Sequence, residues 1–202
     1  SICADQFMSQ PLHANRAADR DTAVAQLQHL IDQAARLGAS WITLPCLDQS
    51  TLQTEPQMER LGHALHRCLD RAADAGITLC LETDLPPNRF RRLLDQVAHQ
   101  SLGVTYDIGN SAALGYSPAQ EFDAYGARIA VVHVKDRTRG GGSVPLGSGA
   151  ADFETVLRGL SRLGFDGPMI LQAARAGSAD QESHAAIAQA QHLEECINRW
   201  CR

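Results

Sequence analysis

Three apolar segments of this chain each end on a residue of a type that binds metal ions. The terminal residues are Glu82, Asp107 and His133, and a fourth apolar segment is followed by Gln172. Carboxylate and imidazole groups together suit one divalent metal ion such as Mn²⁺, Mg²⁺, Co²⁺ or Zn²⁺. The pattern predicts a metal site, and the alternative is that these are ordinary polar residues at strand ends.

The spacing of these four residues matches a repeating strand–helix architecture. Asp107 follows Glu82 by 25 residues, His133 follows Asp107 by 26, and Gln172 follows His133 by 39. Each step has about the length of one strand–helix unit, and polar residues at the ends of successive parallel strands can converge on one mouth. We therefore expect the metal site at the carboxyl ends of the strands.

The elements that would position these residues alternate along the chain. Six apolar segments are predicted strands, and helical spacing of apolar residues predicts six helices between and after them. Such alternation implies a parallel sheet with helical crossovers. A doubly wound sheet also satisfies the pattern, but polar residues at four consecutive strand ends favour a closed (β/α)8 TIM barrel, in the α/β class.

Several boundaries of these elements have local signals. Pro45 is expected to stop the second strand, and Asp152 to open a helix. Ser117 and Gln120 have the spacing of a helix N-cap with its capping-box partner. Asp5 and His13 follow the first strand and are further candidates for the mouth of the barrel.

The length of the chain predicts a partial barrel. A full (β/α)8 barrel usually has about 250 residues, whereas 202 residues provide about six units, corresponding to strands three to eight. Six strands alone would leave two open parallel edges, which invite aggregation. We expect one domain over residues 1–202, with the N-terminal βα units lost or supplied by another segment or subunit.

Composition excludes several classes of function. The net charge of −5 and the lack of a long basic run argue against a nucleic-acid surface. No apolar stretch approaches the roughly 20 residues that cross a bilayer, and no signal peptide is recognised. The six cysteines form no Cys-x-x-Cys pair, so we expect reduced thiols in a cytoplasmic protein.

Several short motifs lie at or near the predicted strand ends. They are Leu81-Glu82-Thr83-Asp84, Tyr106-Asp107-Ile108-Gly109-Asn110, Val132-His133-Val134-Lys135-Asp136, Val144-Pro145-Leu146-Gly147-Ser148-Gly149 with Asp152-Phe153, and Gly167-Pro168-Met169-Ile170-Leu171. Together they resemble the sugar-phosphate isomerase/epimerase superfamily, the xylose-isomerase-like TIM barrels, and within it L-ribulose-5-phosphate 3-epimerase and hexulose-6-phosphate isomerase-type proteins. The resemblance covers the whole chain, as barrel units three to eight.

The resemblance implies a divalent-metal-dependent isomerase or epimerase that acts on a sugar or sugar phosphate through an enediolate. Glu82, Asp107 and His133 match three metal ligands of the family, and Glu82 would also be the catalytic base. Gln172 stands where the family has a second Glu. Its carbonyl oxygen can bind a metal, but it cannot ionise and so cannot serve as the second base of an epimerase.

Charged residues that follow His133 and Gln172 are candidates for catalysis and substrate binding. Lys135 is a candidate catalytic residue, and Asp136, Arg137, Arg139 and Arg175 are candidates for substrate contacts. Glycines in the loop after His133 would let backbone N–H groups approach a phosphate. A flexible lid without a phosphate contact explains these glycines equally well.

Two other functions remain open. One is a related barrel with altered chemistry or a non-catalytic sugar- or metal-binding protein, which Gln172 and the missing units favour. The other is an endonuclease IV-like DNA-repair enzyme, which the acidic charge balance disfavours. The expected partner is a small sugar or sugar phosphate, and the family resemblance allows a homo-oligomer.

Overall fold

The computed structural model of the protein describes residues 1–172, 174 and 179–200. The chain divides into two compact units, Ser1–Thr105 and Tyr106–Arg202. Within the described part of the chain, no helix combines the length and apolar character that crossing a membrane requires.

The first unit is built on parallel strands that follow one another along the chain. Residue Ile42 of the second strand pairs with Ile2 of the first and with Leu79 of the third, and Leu79 also pairs with Leu102 of the fourth. The last two residues of the fourth strand belong to the second unit. The strands are β1 (Ile2–Cys3), β2 (Trp41–Cys46), β3 (Thr78–Thr83) and β4 (Leu102–Asp107).

The longer helices of the first unit each bury one apolar stripe, whereas the short α1 buries only Phe7. The helices are α1 (Gln6–Ser9), α2 (Ala17–Arg36), α3 (Glu55–Asp74) and α4 (Pro87–Val97). Leu27 and Ile31 of α2 and Leu61 and Leu65 of α3 are fully shielded from solvent. Burying such side chains contributes about 1.5–3 kcal/mol each to the stability of the unit.

The described residues of the second unit form four α-helices, a short hairpin and a parallel pair of strands. The helices are α5 (Ile108–Leu114), α6 (Pro118–Tyr125), α7 (Phe153–Arg162) and α8 (Ala179–Trp200), and the strands are β5 (Ile129–Val134), β6 (Asp136–Arg137), β7 (Ser143–Val144) and β8 (Met169–Leu171). Strand β5 pairs in parallel with β8, and β6 pairs with β7 in the antiparallel direction.

The order of the strands agrees with the predicted alternation. In the first unit the strands follow the order β1-β2-β3-β4, and in the second unit β5 lies beside β8. The α/β class and the six parallel strands are confirmed. The predicted helices are present, but α5 and the β6–β7 hairpin lie in segments that the sequence pattern assigns to loops.

One predicted boundary is wrong, and a second is correct but lacks its predicted capping hydrogen bond. Pro45 does not stop β2 but lies inside it, paired with Glu82. Strand β1 pairs only with Ile42 and Thr43, so no β1 residue requires the N–H that Pro45 lacks. Ser117 is the N-cap of α6, but its side chain makes no capping hydrogen bond, and Pro118 in the first turn pre-sets the helical φ instead.

Candidate metal centre

Asp107 lies at the carboxyl end of β4, where it is also the N-cap of α5. Its Oδ1 accepts a hydrogen bond from the backbone N–H of Asn110 at 2.8 Å, and its Oδ2 accepts one from the Lys135 ammonium at 2.9 Å. The side chain is 1% exposed. Because each carboxylate oxygen has two lone pairs, both oxygens retain capacity for a cation.

His133 on β5 and Gln172, which directly follows β8, lie side by side in the second unit. His133, which is buried, pairs with Ile170 across β5 and β8. Gln172 is two residues further, so it projects to the same face, and its backbone N–H donates to the carbonyl of Val134 at 2.9 Å. The side-chain amide nitrogen of Gln172 lies 3.1 Å from Nδ1 of His133.

Glu82 is a buried carboxylate near the carboxyl end of β3 in the first unit. Burial, together with the charges of Asp84 and Glu82, raises the pKa of the Cys46 thiol to about 12. Asp84 accepts a hydrogen bond from the Thr51 hydroxyl at 2.5 Å, while burial raises the pKa of its carboxyl group. In the absence of a metal ion, Cys46 is therefore a protonated thiol at neutral pH.

A glycine at position 109 leaves room beside Lys135, whose ammonium group contacts Asp107. A β-carbon at Gly109 would lie 3.0 Å from the carbonyl carbon, Cβ and Cγ of Lys135. Such contacts are tighter than ordinary packing allows. The sequence motif contained Gly109, but only the three-dimensional contact shows that it makes room for the catalytic candidate Lys135.

Asp136 holds the glycine-rich loop that follows β6. Its buried carboxylate accepts hydrogen bonds from the backbone N–H groups of Gly147 at 2.9 Å, Gly149 at 2.8 Å and Ala151 at 3.1 Å. A β-carbon on Gly149 would fall 2.2 Å from Oδ1 of Asp136. Both oxygens of Asp136 thus organise the loop, and its predicted substrate contact stays a prediction.

The arginine candidates have different surroundings. Arg137 donates from Nε and Nη2 to the carbonyl of Gly141, at 2.9 and 2.7 Å, and from Nη1 to Oδ1 of Asn110 at 2.8 Å. Arg139 is exposed and packs over Gly115 at the end of α5. Arg175 lies outside the described residues.

Glu121 is a buried carboxylate that the sequence pattern did not single out. Its Oε2 accepts hydrogen bonds from Tyr106 at 3.0 Å and Ser111 at 2.5 Å, and its Oε1 accepts one from Tyr125 at 2.7 Å. Burial raises the pKa of Glu121, and the three hydroxyl donors offset only part of this shift. A glutamate in a short helix has no sequence signal that separates it from a solvent-exposed residue.

His13, a candidate for the mouth, is buried in the first unit. Its backbone carbonyl accepts a hydrogen bond from Nε of Arg60 at 3.1 Å, and its Nδ1 has no hydrogen-bond partner among the described residues. Burial, assisted by the charge of Arg60, lowers the pKa of His13 to about 4. The side chain is therefore a neutral imidazole near neutral pH.

Comparison with known proteins shows which family this chain matches. The family model described as xylose isomerase-like TIM barrel matches residues 3–196. L-ribulose-5-phosphate 3-epimerase UlaE of Salmonella paratyphi A is 27% identical over 186 residues, which are 85% of this chain and 63% of that protein. This chain thus spans less than two thirds of the length of that curated relative.

Solved structures share the fold. The IolI protein with a bound zinc atom superposes with a TM-score of 0.78 at 18% identity, covering 94% of this chain and 74% of that one. A xylose isomerase-like TIM barrel protein of Mycobacterium smegmatis in complex with magnesium has a TM-score of 0.71 at 18% identity, covering 90% and 70%. At these identities the likeness establishes the fold alone.

Proposed function

Because the chain belongs to the xylose isomerase-like TIM barrel family, we propose that it is a divalent-metal-dependent isomerase or epimerase of a sugar or sugar phosphate. The observation that carries the proposal is the donor set of Glu82, Asp107 and His133. All three are buried residues of types that could hold a metal ion. The epimerase name of the Salmonella relative supports the reaction class.

The three side chains are of the types that bind a hard or borderline divalent cation. Two carboxylates and one imidazole suit Mn²⁺, Mg²⁺, Co²⁺ or Zn²⁺, and the structural relatives with zinc and with magnesium support such a metal. Gln172 is proposed as the fourth ligand through its amide oxygen. Its amide nitrogen lies 3.1 Å from Nδ1 of His133, and rotation of the amide group by 180° would bring the oxygen to that position instead.

The chemistry requires proton transfer at the carbon next to the sugar carbonyl. When bound, the cation would polarise that carbonyl and acidify the neighbouring C–H. We assign the removal of the proton to the Glu82 carboxylate. The Lys135 ammonium holds Asp107 in place and is the proposed hydrogen-bond donor to a substrate oxygen, and Asp136, Arg137, Arg139 and Arg175 remain proposed substrate contacts.

Gln172 favours a second candidate function. A glutamine cannot exchange a proton with the substrate near neutral pH, so a two-base epimerisation would lack one base. The second candidate is a barrel with altered chemistry, or one that binds a sugar without turning it over. Replacing Gln172 by Glu separates the candidates, because a gain of epimerisation in that variant would establish that the second base was the missing group.

The proposal also covers the partner, the assembly and the cellular location of the protein. The proposed partner is a small-molecule sugar, with a homo-oligomer as the proposed assembly and without a nucleic-acid partner. Five described cysteines are free thiols, which supports the proposed cytoplasmic location. Cys201 lies outside the described residues.

Metal content tests the site directly. We expect about one divalent ion per chain in the purified wild type, measured by elemental mass spectrometry, and a loss of this ion in His133→Ala because one ligand is removed. His29→Ala, on the exposed face of α2, is the matched control and should retain the ion. A folded wild-type chain that stays metal-free after soaking in Mn²⁺ and Zn²⁺ would overturn the proposed centre.

Turnover tests the assignment of the base. Glu82→Gln keeps a carbonyl oxygen for the metal but removes the group that accepts a proton, so we expect kcat to fall at least about 10²-fold with the metal content retained. Glu154→Gln, an exposed glutamate on α7, is the control. Unchanged turnover in Glu82→Gln would rule out Glu82 as the base.

A further inference from the structure

His192 and Cys196 are two metal-binding side chains on α8 that the candidate metal centre does not use. Residues four apart in an α-helix lie on the same face, one turn from each other. Nε2 of His192 lies 3.7 Å from Sγ of Cys196. Cys196 is buried and His192 is half-buried. An imidazole and a thiol therefore face each other where both are partly shielded from water.

The distance between these two donor atoms suits a single zinc ion. Zn²⁺ forms bonds of about 2.1 Å to a histidine nitrogen and about 2.3 Å to a cysteine sulfur, so a tetrahedral ion holds the two donors about 3.6 Å apart. The observed 3.7 Å requires almost no rearrangement. The sulfur also selects the ion, because soft thiolate ligands favour Zn²⁺ over the harder Mg²⁺ and Mn²⁺.

Gly147 leaves space beside the His192 ring. Its φ of +81° accounts for the glycine, and a β-carbon there would lie 3.2 Å from Nε2 of His192. The loop is fixed in this place from two sides. The N–H of Leu146 donates to Oε1 of Gln189 on α8 at 3.3 Å, and the N–H of Gly147 donates to Oδ2 of Asp136 at 2.9 Å.

The pair leaves coordination positions for solvent. Among the described residues, His192 and Cys196 belong to no cluster of three His, Cys, Asp or Glu donors, so water molecules would complete the tetrahedron. Closed structural zinc sites have four protein ligands, whereas a site with two exchanges its ion with the surroundings. Burial raises the pKa of the Cys196 thiol, so in the absence of metal the thiol keeps its proton near neutral pH.

We propose that His192 and Cys196 bind one zinc-class ion where α8 contacts the loop 145–149. In the binding step the Cys196 thiol releases its proton to solvent, a sulfur–metal bond forms, and Nε2 of His192 donates its lone pair without any change of oxidation state. The bound ion would fix His192 beside Gly147 and so stabilise the loop. This site is independent of the proposed sugar chemistry.

The first test uses Cd²⁺ alone as the probe, because a cadmium–thiolate bond has an ultraviolet charge-transfer band. Titration of the Mg²⁺-loaded wild type should produce this band and saturate it at about one thiolate-bound Cd²⁺ per chain. Cys196→Ser and His192→Ala should each weaken the binding at least about 10-fold, since each removes one of two protein ligands. Cys3→Ser and His63→Ala, both at exposed positions, are the matched controls and should leave the titration unchanged.

The second test follows the loop by hydrogen exchange. Zn²⁺ should slow the exchange of the Leu146 and Gly147 amides at least about 10-fold in the wild type and leave it unchanged in Cys196→Ser. A folded wild type without the thiolate band, or the same band in Cys196→Ser, would overturn the site. Unchanged amide exchange in the presence of the band would overturn its effect on the loop. A band that persists in His133→Ala would support a site separate from the candidate metal centre, and its loss there would count against one.

Discussion

At the scale of single residues, Glu121 shows how a buried charge can anchor a site that it does not touch. Its hydroxyl partners include Tyr106, which precedes Asp107, and Ser111, which lies on the helix that Asp107 caps. Tyr125 adds a third hydrogen bond from the same helix as Glu121 itself. These hydrogen bonds therefore connect β4, α5 and α6 next to the point where Asp107 ends β4 and caps α5.

Removal of this carboxylate should destabilise the fold strongly. Glu121→Ala leaves three buried hydroxyl groups without their acceptor and opens a cavity, so we expect the free energy of unfolding to fall by about 3–5 kcal/mol. Glu121→Gln keeps one oxygen acceptor for Tyr106 and Ser111 and should cost less than about 1.5 kcal/mol. Urea denaturation of both variants measures the difference, and equal losses would show that hydrogen bonding is not the cause.

At the scale of the elements, the N-caps of α6 and α7 differ in whether the capping side chain makes a hydrogen bond. Asp152, the N-cap of α7, accepts hydrogen bonds from the N–H of Thr155 at 3.0 Å and from its hydroxyl at 2.7 Å. Ser117 has the same position at α6 without a capping hydrogen bond. Asp and Ser are both preferred at the N-cap, but only the Asp152 side chain accepts a hydrogen bond from a backbone N–H at the start of its helix.

These two caps make a matched pair for a stability experiment. Asp152→Ala should lower the free energy of unfolding by about 1 kcal/mol, because the N–H of Thr155 loses its acceptor. Ser117→Ala should change it by less than about 0.5 kcal/mol, because no capping bond is lost. Chemical denaturation followed by circular dichroism compares them, and similar losses at both caps would contradict the assigned contacts.

The elements that the sequence did not predict share a physical cause. The α5 segment has only seven residues and contains Gly109 and Asn110, which are poor helix formers. The β6 and β7 strands have two residues each, too few for a period-2 pattern to be recognised. These elements depend on tertiary contacts of Asp107, Asp136 and Arg137, which no local pattern contains.

The sequence predicted the residues of the candidate site but not the contacts between them. Residue type and the strand-end positions identified Glu82, Asp107 and His133, because alternation along a parallel strand fixes where its last polar side chains lie. Contacts such as Gln172 with His133 and Arg137 with Asn110 join residues 39 and 27 positions apart. Such pairs become visible only once the strands are placed.

At the scale of the whole molecule, His13 links stability to pH. Its pKa is about 4 in the folded chain and about 6.5 for an unfolded histidine. Between these values the unfolded chain binds a proton that the folded chain does not. His13 therefore leaves stability intact above about pH 6.5 and lowers it as the pH falls toward 4.

Substitution of His13 should flatten this dependence. Between pH 7 and pH 4 the wild type should lose up to about 3 kcal/mol more than His13→Gln, since glutamine does not titrate. His29→Gln, an exposed histidine of α2, should keep the wild-type slope. Urea denaturation at a series of pH values measures both, and parallel curves for wild type and His13→Gln would disprove the role of His13.

The loop organised by Asp136 has a consequence for how this protein can change by mutation. Gly149 meets Asp136 and Arg137 where a β-carbon would be, whereas Gly142 has open space on that side and no positive φ. Gly140 also has open space, but its φ of +63° strains other residues. In a saturation library selected for folded protein, we expect many residue types at position 142. At position 140 we expect mainly Gly, Asn and Asp, and at position 149 only glycine.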